Sequence, residues 1–143
     1  ARARLELSAD CEVLNESSIY QTPAWGYEST QTYFNQALEC RFEKPPLEFL
    51  SVCLHVEKMM GRTRSAQGYA DRIIDIDIIA VQNFSIELPN LIVPHPRLHL
   101  RKFVLLPLQD LWPDWIHPVL LKNTLTLVKE CPDLIVPEKK YHK

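Results

Sequence analysis

Nine residues, Ile73 to Val81 (IIDIDIIAV), constrain this chain more than any others. They are β-branched nearly throughout and alternate for five residues, the pattern of a strand lying against a core. Alternation puts Asp75 and Asp77 on one face, about 7 Å apart along the strand, while Ile74, Ile76 and Ile78 point to the other. Carboxylates on the buried side of a strand are costly unless cations balance them. Two arrangements would do so. One is Mg²⁺ held jointly with substrate phosphates, since oxygen ligands with no His or Cys nearby suit a hard cation. The other is an ion-pair network with Arg72 or Arg101. The spacing leaves both open.

The elements around this strand set the fold class. Cys11 to Thr22 is rich in β formers and ends in the breaker Pro23-Ala24-Trp25-Gly26; Tyr33 to Phe42 follows as a second strand, placed to pair with it antiparallel. Pro45-Pro46 opens a helix whose apolar face comprises Leu47, Phe49, Leu50, Cys53, Leu54, Val56 and Met60, and Gly61 stops it. Arg62 to Arg72 (RTRSAQGYADR) has no apolar periodicity and reads as a mobile loop. After the central strand come a short strand at Leu91 to Val93, a helical stretch from Arg97 to about Leu111 interrupted by Pro107, and a last helix from Val119 to Glu130. The opening ARARLEL is helical in character but has no capping residue before it. With one strand ahead of that helix the order becomes βαββαβ, a ferredoxin-like α+β fold with an antiparallel sheet and helices packed on it. The expectation is therefore a single domain, 1–143, whose first strand is missing from this chain.

Composition narrows the function. With 143 residues, 46% hydrophobic and 24% charged, the chain is one domain of ordinary soluble composition. A net charge of −2 argues against a broad nucleic-acid surface, and with it against an RNA-binding ferredoxin-like sheet; Arg62, Arg64, Arg72, Arg97, Arg101 and Lys102 nonetheless gather in the middle of the chain, which suits a local anion site. The four cysteines have no CxxC spacing, so neither zinc nor a disulfide framework is indicated. No apolar run reaches the roughly 20 residues of a membrane span, and the start lacks a signal-peptide core. A monomeric cytoplasmic protein that engages neither membrane nor nucleic acid is expected.

Arginines 62, 64, 72 and 101 offer planar donors for phosphate oxygens, the complement of an acidic pair that holds metal. That combination suits phosphoryl-type transfer, where catalysis is mostly positioning and charge neutralisation. Tyr33, Tyr69 and Phe103 are the nearby aromatics that can cover a heteroaromatic ring, though residues of this kind are more often core; His95 is held between two prolines. With no GxxxxGK[ST] and no GxGxxG, a P-loop or Rossmann nucleotide site is excluded.

The string DRIIDIDIIA followed by LIVPHPRLHLRKFVLLPLQDL resembles the signature of the hydroxymethyldihydropterin pyrophosphokinase family. SSIYQTPAWG, the triplet Tyr33-Phe34-Asn35 and EKMMGRTR resemble it too, in order and spacing. The resemblance implies transfer of pyrophosphate from ATP to 6-hydroxymethyl-7,8-dihydropterin in folate biosynthesis. It implies that Thr22, Pro23 and Trp25 line the pterin pocket, that Asn35 hydrogen-bonds the pterin, and that Tyr33 and Phe103 stack on its two faces. Tyr69 would belong to a loop closing over the site. Asp75 and Asp77 would hold two Mg²⁺ ions. Glu57, Arg62, Arg64, Arg72, Ile78, His95 and Arg101 would bind ATP, with Arg62 and Arg72 also catalytic. The family's first strand and its Gly-Ser-Asn loop have no counterpart here, Leu54 stands at a glutamine position, and Ala70-Asp71 replaces a Gly-Pro step. An inactive or truncated homologue that binds pterin or a partner protein is the alternative reading.

Overall fold

The computed structural model describes residues 6, 9–23, 32–61 and 74–140. Within them the chain is a mixed α+β fold with antiparallel pairing throughout. The two strands expected to pair do so, but each is broken in two. Strand β1 (Glu12–Glu16) pairs with β4 (Leu38–Arg41), and β2 (Ile19–Pro23) pairs with β3 (Thr32–Asn35). The break is built around Ser17, only 1% exposed. Its N–H donates to the Ala37 carbonyl (2.9 Å), its hydroxyl accepts the Ala37 N–H (2.8 Å), and Gln36 Nε2 donates to its carbonyl (2.9 Å). The side chain thus replaces a ladder bond where the chain bends. Ser17→Ala should cost about 1–3 kcal/mol of stability, because the Ala37 N–H loses its acceptor in a dry place; urea denaturation checks this, and an unchanged midpoint would mean that water takes the hydroxyl's place.

Helix α1 (Pro46–Met59) begins at the proline pair as expected. It ends at Gly61, whose φ of 107° lies in the region open to glycine. Its buried face is narrower than the sequence suggested. Cys53 and Val56 form the centre, with Phe49, Val52 and Met60 against them, whereas Leu47 and Leu54 are exposed because they lie on the flank turned away from the core.

Residues 74–80 run beside α1 without regular secondary structure, and here the sequence expectation of a strand fails: no strand pairs with them among the described residues. The alternating pattern specifies which side chains face the core and says nothing of which backbone lies alongside. Ile76 and Ile78 pack on the Cys53 and Val56 cluster, while Ile79 and Ala80 reach a second cluster built from Leu98, Leu105, Leu108, Trp115 and Leu127. The segment therefore divides the two cores. Its backbone bonds include Ile76 N–H to the Glu57 carboxylate (2.8 Å) and the Ile79 carbonyl to the His95 N–H (2.8 Å).

Beyond it, β5 (Ile86–Leu88) and β6 (Leu91–Val93) make a small hairpin, a 3₁₀ turn spans Leu98–Leu100, and α2 (Lys102–Leu111) carries Pro107 inside it. Helix α3 starts at Thr124, later than the expected Val119, because Asn123 caps it by accepting the Thr126 N–H at 2.8 Å. Strand β7 (Glu138–Lys140) pairs with the free side of β2.

Three cysteines far apart in sequence meet between the β1–β4 ladder and α1. Cys40 donates its S–H to Cys11, and Cys53 lies within electrostatic reach of both. Burial first, then the neighbouring thiols, pushes Cys40 up to about 12; burial, then Cys11, Glu57 and Asp77, does the same to Cys53. Tyr20 also rises to about 12, from burial and then from its bond to Asp110. All three stay protonated in the folded chain where the unfolded chain has already released protons. Stability should be fully present below about pH 9 and fall as pH rises from there towards 12. Denaturation midpoints that stay flat across that window would contradict the assigned environments.

Candidate functional site

The sequence-predicted residues fall into two groups that α2 connects. The first surrounds the acidic segment. Asp75 and Asp77 are exposed, a correction to the buried-side placement expected from the pattern. The core takes Ile76 and Ile78 instead, so the acids keep their solvation. Arg101 makes no ion pair with Asp77 among the described residues. No group of three or more His, Cys, Asp or Glu among those residues is arranged to hold a metal ion by itself. Two exposed carboxylates on one extended segment fit an oxygen-seeking cation such as Mg²⁺ that completes its shell with phosphate and water.

His95 stands next to this segment, its backbone bonded to Ile79. Burial lowers its pKa; Asp77 opposes this, and Arg101 and Arg97 add to the lowering. The imidazole is therefore neutral at pH 7. Its Nδ1 accepts the Arg97 N–H at 3.2 Å, which leaves the proton on Nε2 as a donor. A cleft of about 190 Å³ opens beside it, lined by Pro94, Pro96, His99 and His117 among others. Arg101 is half-buried, with its guanidinium carbon 5.6 Å from the centre of the Phe103 ring. Asp77, His95, Arg101 and Phe103 thus follow one another in space. Ile78 is half-buried, and Glu57 is 8% exposed beneath the segment.

The second group is on the β2–β3 hairpin. Thr22, buried, lies directly opposite Tyr33, which is 55% exposed, and Tyr20 lies opposite Asn35. Pro23 pairs with Thr32 at the end of the ladder. What docks this hairpin on α2 is Asp110, which the sequence reading passed over. Its carboxylate accepts the Tyr20 hydroxyl (3.0 and 3.1 Å) and the Ser18 N–H (3.1 Å), and Lys139 approaches it at 3.8 Å. A lone acid in the apolar run FVLLPLQDL was the available signal. The other end of α2 carries Phe103, so one helix ties the hairpin to the acidic segment. Trp25, Arg62, Arg64, Tyr69 and Arg72, and with them the expected mobile loop, lie outside the described residues. A broader depression lined by Phe84, Trp112 and Trp115 contains none of the expected site residues.

Residues 1–113 match the family model described as 7,8-dihydro-6-hydroxymethylpterin-pyrophosphokinase (HPPK). The chain belongs to this family. Among curated HPPK relatives, the 2-amino-4-hydroxy-6-hydroxymethyldihydropteridine pyrophosphokinase of Porphyromonas gingivalis is 38% identical over 109 residues, covering 74% of each chain. The protein of the same name from Synechocystis is 34% identical over 130 residues, covering 91% of this chain and 66% of the relative. The Dictyostelium discoideum Folic acid synthesis protein FOL1 is 33% identical over 127 residues, which are 89% of this chain but 19% of that protein. HPPK-like sequence is therefore also found within a much longer polypeptide. No helix among the described residues is long and apolar enough to cross a membrane.

Proposed function

We propose that this chain transfers pyrophosphate from ATP to 6-hydroxymethyl-7,8-dihydropterin, releasing AMP and the pterin diphosphate, as a cytoplasmic monomer of folate biosynthesis. The observation that carries the reading is the succession Asp77, His95, Arg101, Phe103, a carboxylate, an imidazole, a guanidinium and an aromatic ring side by side, the side-chain types that this chemistry requires. The pterin hydroxymethyl oxygen attacks the β-phosphorus, the bridge to the α-phosphorus breaks, and the electron pair leaves with AMP. Asp75 and Asp77 would hold two Mg²⁺ ions, whose charge offsets that of the phosphates. His95 offers ATP its Nε2–H without adding a charge, Ile78 presents an apolar surface to the nucleotide, and Arg101 faces the phosphates from the aromatic side. Arg62, Arg64 and Arg72 supply further cationic donors, Arg62 and Arg72 where charge develops. Thr22, Pro23, Trp25 and Asn35 receive the pterin edge; Tyr33 and Phe103 cover its faces, and Tyr69 closes over them.

Incubation with ATP, Mg²⁺ and the pterin should release one AMP per pterin diphosphate formed. ADP as the nucleotide product, or pterin binding without any AMP, would reject the reading, the latter in favour of an inactive homologue. Phe103→Ala should weaken pterin binding by roughly 1–3 kcal/mol through lost stacking and area. Calorimetry with ATP analogue alone should show little change; equal losses for both ligands would assign Phe103 to the core.

A further inference from the structure

Glu57 is the only carboxylate residue in the buried set of the described residues. It sits on the core face of α1 with Cys53 and Val56, a place where an acid is expensive unless its oxygens are engaged. One engagement is specific: Oε2 accepts the N–H of Ile76 at 2.8 Å. Ile76 is the residue between Asp75 and Asp77, so this bond grips the Asp75–Ile76 peptide, one residue from Asp77. No other backbone hydrogen bond to a described residue holds the stretch from Ile76 to Ile78. The apolar contacts of Ile76 and Ile78 fix how deep the segment lies, but they leave its sliding and rotation cheap; a charge-assisted hydrogen bond is directional and does not.

We propose that Glu57 is a positioning residue for the Asp75 and Asp77 pair, acting through the Ile76 peptide and not by touching the nucleotide. The inference rests on the pyrophosphokinase reading and deepens it, replacing a direct ATP contact with a role one step behind the metal-binding carboxylates. What matters in this role is an acceptor at the right point, and a glutamine oxygen can serve in its place.

The test uses Mn²⁺ as a spectroscopic substitute for Mg²⁺. Its binding is followed by paramagnetic resonance in the presence of α,β-methylene-ATP, for the wild-type chain, E57A and E57Q, with thermal midpoints measured alongside. E57A should weaken Mn²⁺ binding about tenfold or more, the usual cost of losing an outer-shell partner. E57Q should restore most of that loss, and analogue binding without metal should be the same in all three. Equal damage from E57A and E57Q would overturn the proposal in favour of a direct role for the charge. So would loss of metal-free analogue binding in E57A, which would make Glu57 a nucleotide contact. An E57A that melts earlier but binds Mn²⁺ normally would reduce Glu57 to a packing role and equally overturn it. Should E57A not fold, E57Q decides alone: Mn²⁺ binding close to wild type supports positioning, and a tenfold loss refutes it. A wild-type chain that binds no Mn²⁺ with the analogue would instead overturn the pyrophosphokinase reading itself, and the proposal with it.

Discussion

Asp77→Ala should abolish turnover and leave the fold intact. The side chain is exposed, belongs to neither core cluster, and makes no hydrogen bond or ion pair among the described residues. Its removal should change the denaturation midpoint by no more than other surface substitutions, within about 0.5 kcal/mol. Activity is a different matter. With Asp77 gone, one carboxylate of the pair remains, and a cation held by the proposed pair would lose a ligand. Turnover at saturating Mg²⁺ should drop below about a tenth of wild type, and Asp75→Ala should follow it. An Asp77→Ala chain that stays above that level would mean that the carboxylate does not hold metal, whatever the family pattern implies.

Leu105→Ala should produce the largest loss of stability of any substitution considered, about 2–5 kcal/mol by the range for buried leucines. Leu105 is fully buried at the centre of the cluster formed with Leu98, Leu108, Trp115 and Leu127. Ile79 and Ala80 pack on that same cluster, so the cavity opens directly under one end of the acidic segment. A typical domain has only about 5–15 kcal/mol in hand, and the variant could spend a measurable part of its time unfolded. Leu105→Met, which keeps the volume, should cost under about 1.5 kcal/mol. If urea denaturation shows the two variants to be equally stable, the site collapses without leaving a void and the centre of the core lies elsewhere.

The patterns that suggest the candidate site are more local in the sequence than those that make the sheet. Paired acids in an apolar strand, a histidine between prolines and an arginine two residues before a phenylalanine are local patterns, and the fold keeps them in that order. Gly61 ends its helix and Leu91–Val93 is a strand, both as read, because glycine at a helix end and an apolar triplet with two β-branched residues act over a few residues. What could not be read depends on distant partners. The bend at Ser17 is invisible until Ala37 lies opposite; β7, with the sequence Glu-Lys-Lys, has no strand pattern and exists because β2 has a free side. The meeting of Cys11, Cys40 and Cys53 is hidden by their spacing, and the hold of Glu57 on Ile76 crosses nineteen positions of sequence.

The suspension of residues 74–80 has a consequence for how the carboxylates respond to load. A strand inside a sheet shares any displacement among many ladder bonds, and β2, paired on both sides, is of that kind. From Ile76 onward the acidic segment behaves more like a bridge deck hung from cables, one at Ile76 and one at Ile79, with apolar ballast beneath. Each cable is worth on the order of 1 kcal/mol net, more where a charge takes part. Small adjustments of Asp77, which stands between those two points, towards an incoming cation would then cost little, while its mean position stays set by the anchorages on α1 and on the turn that carries His95.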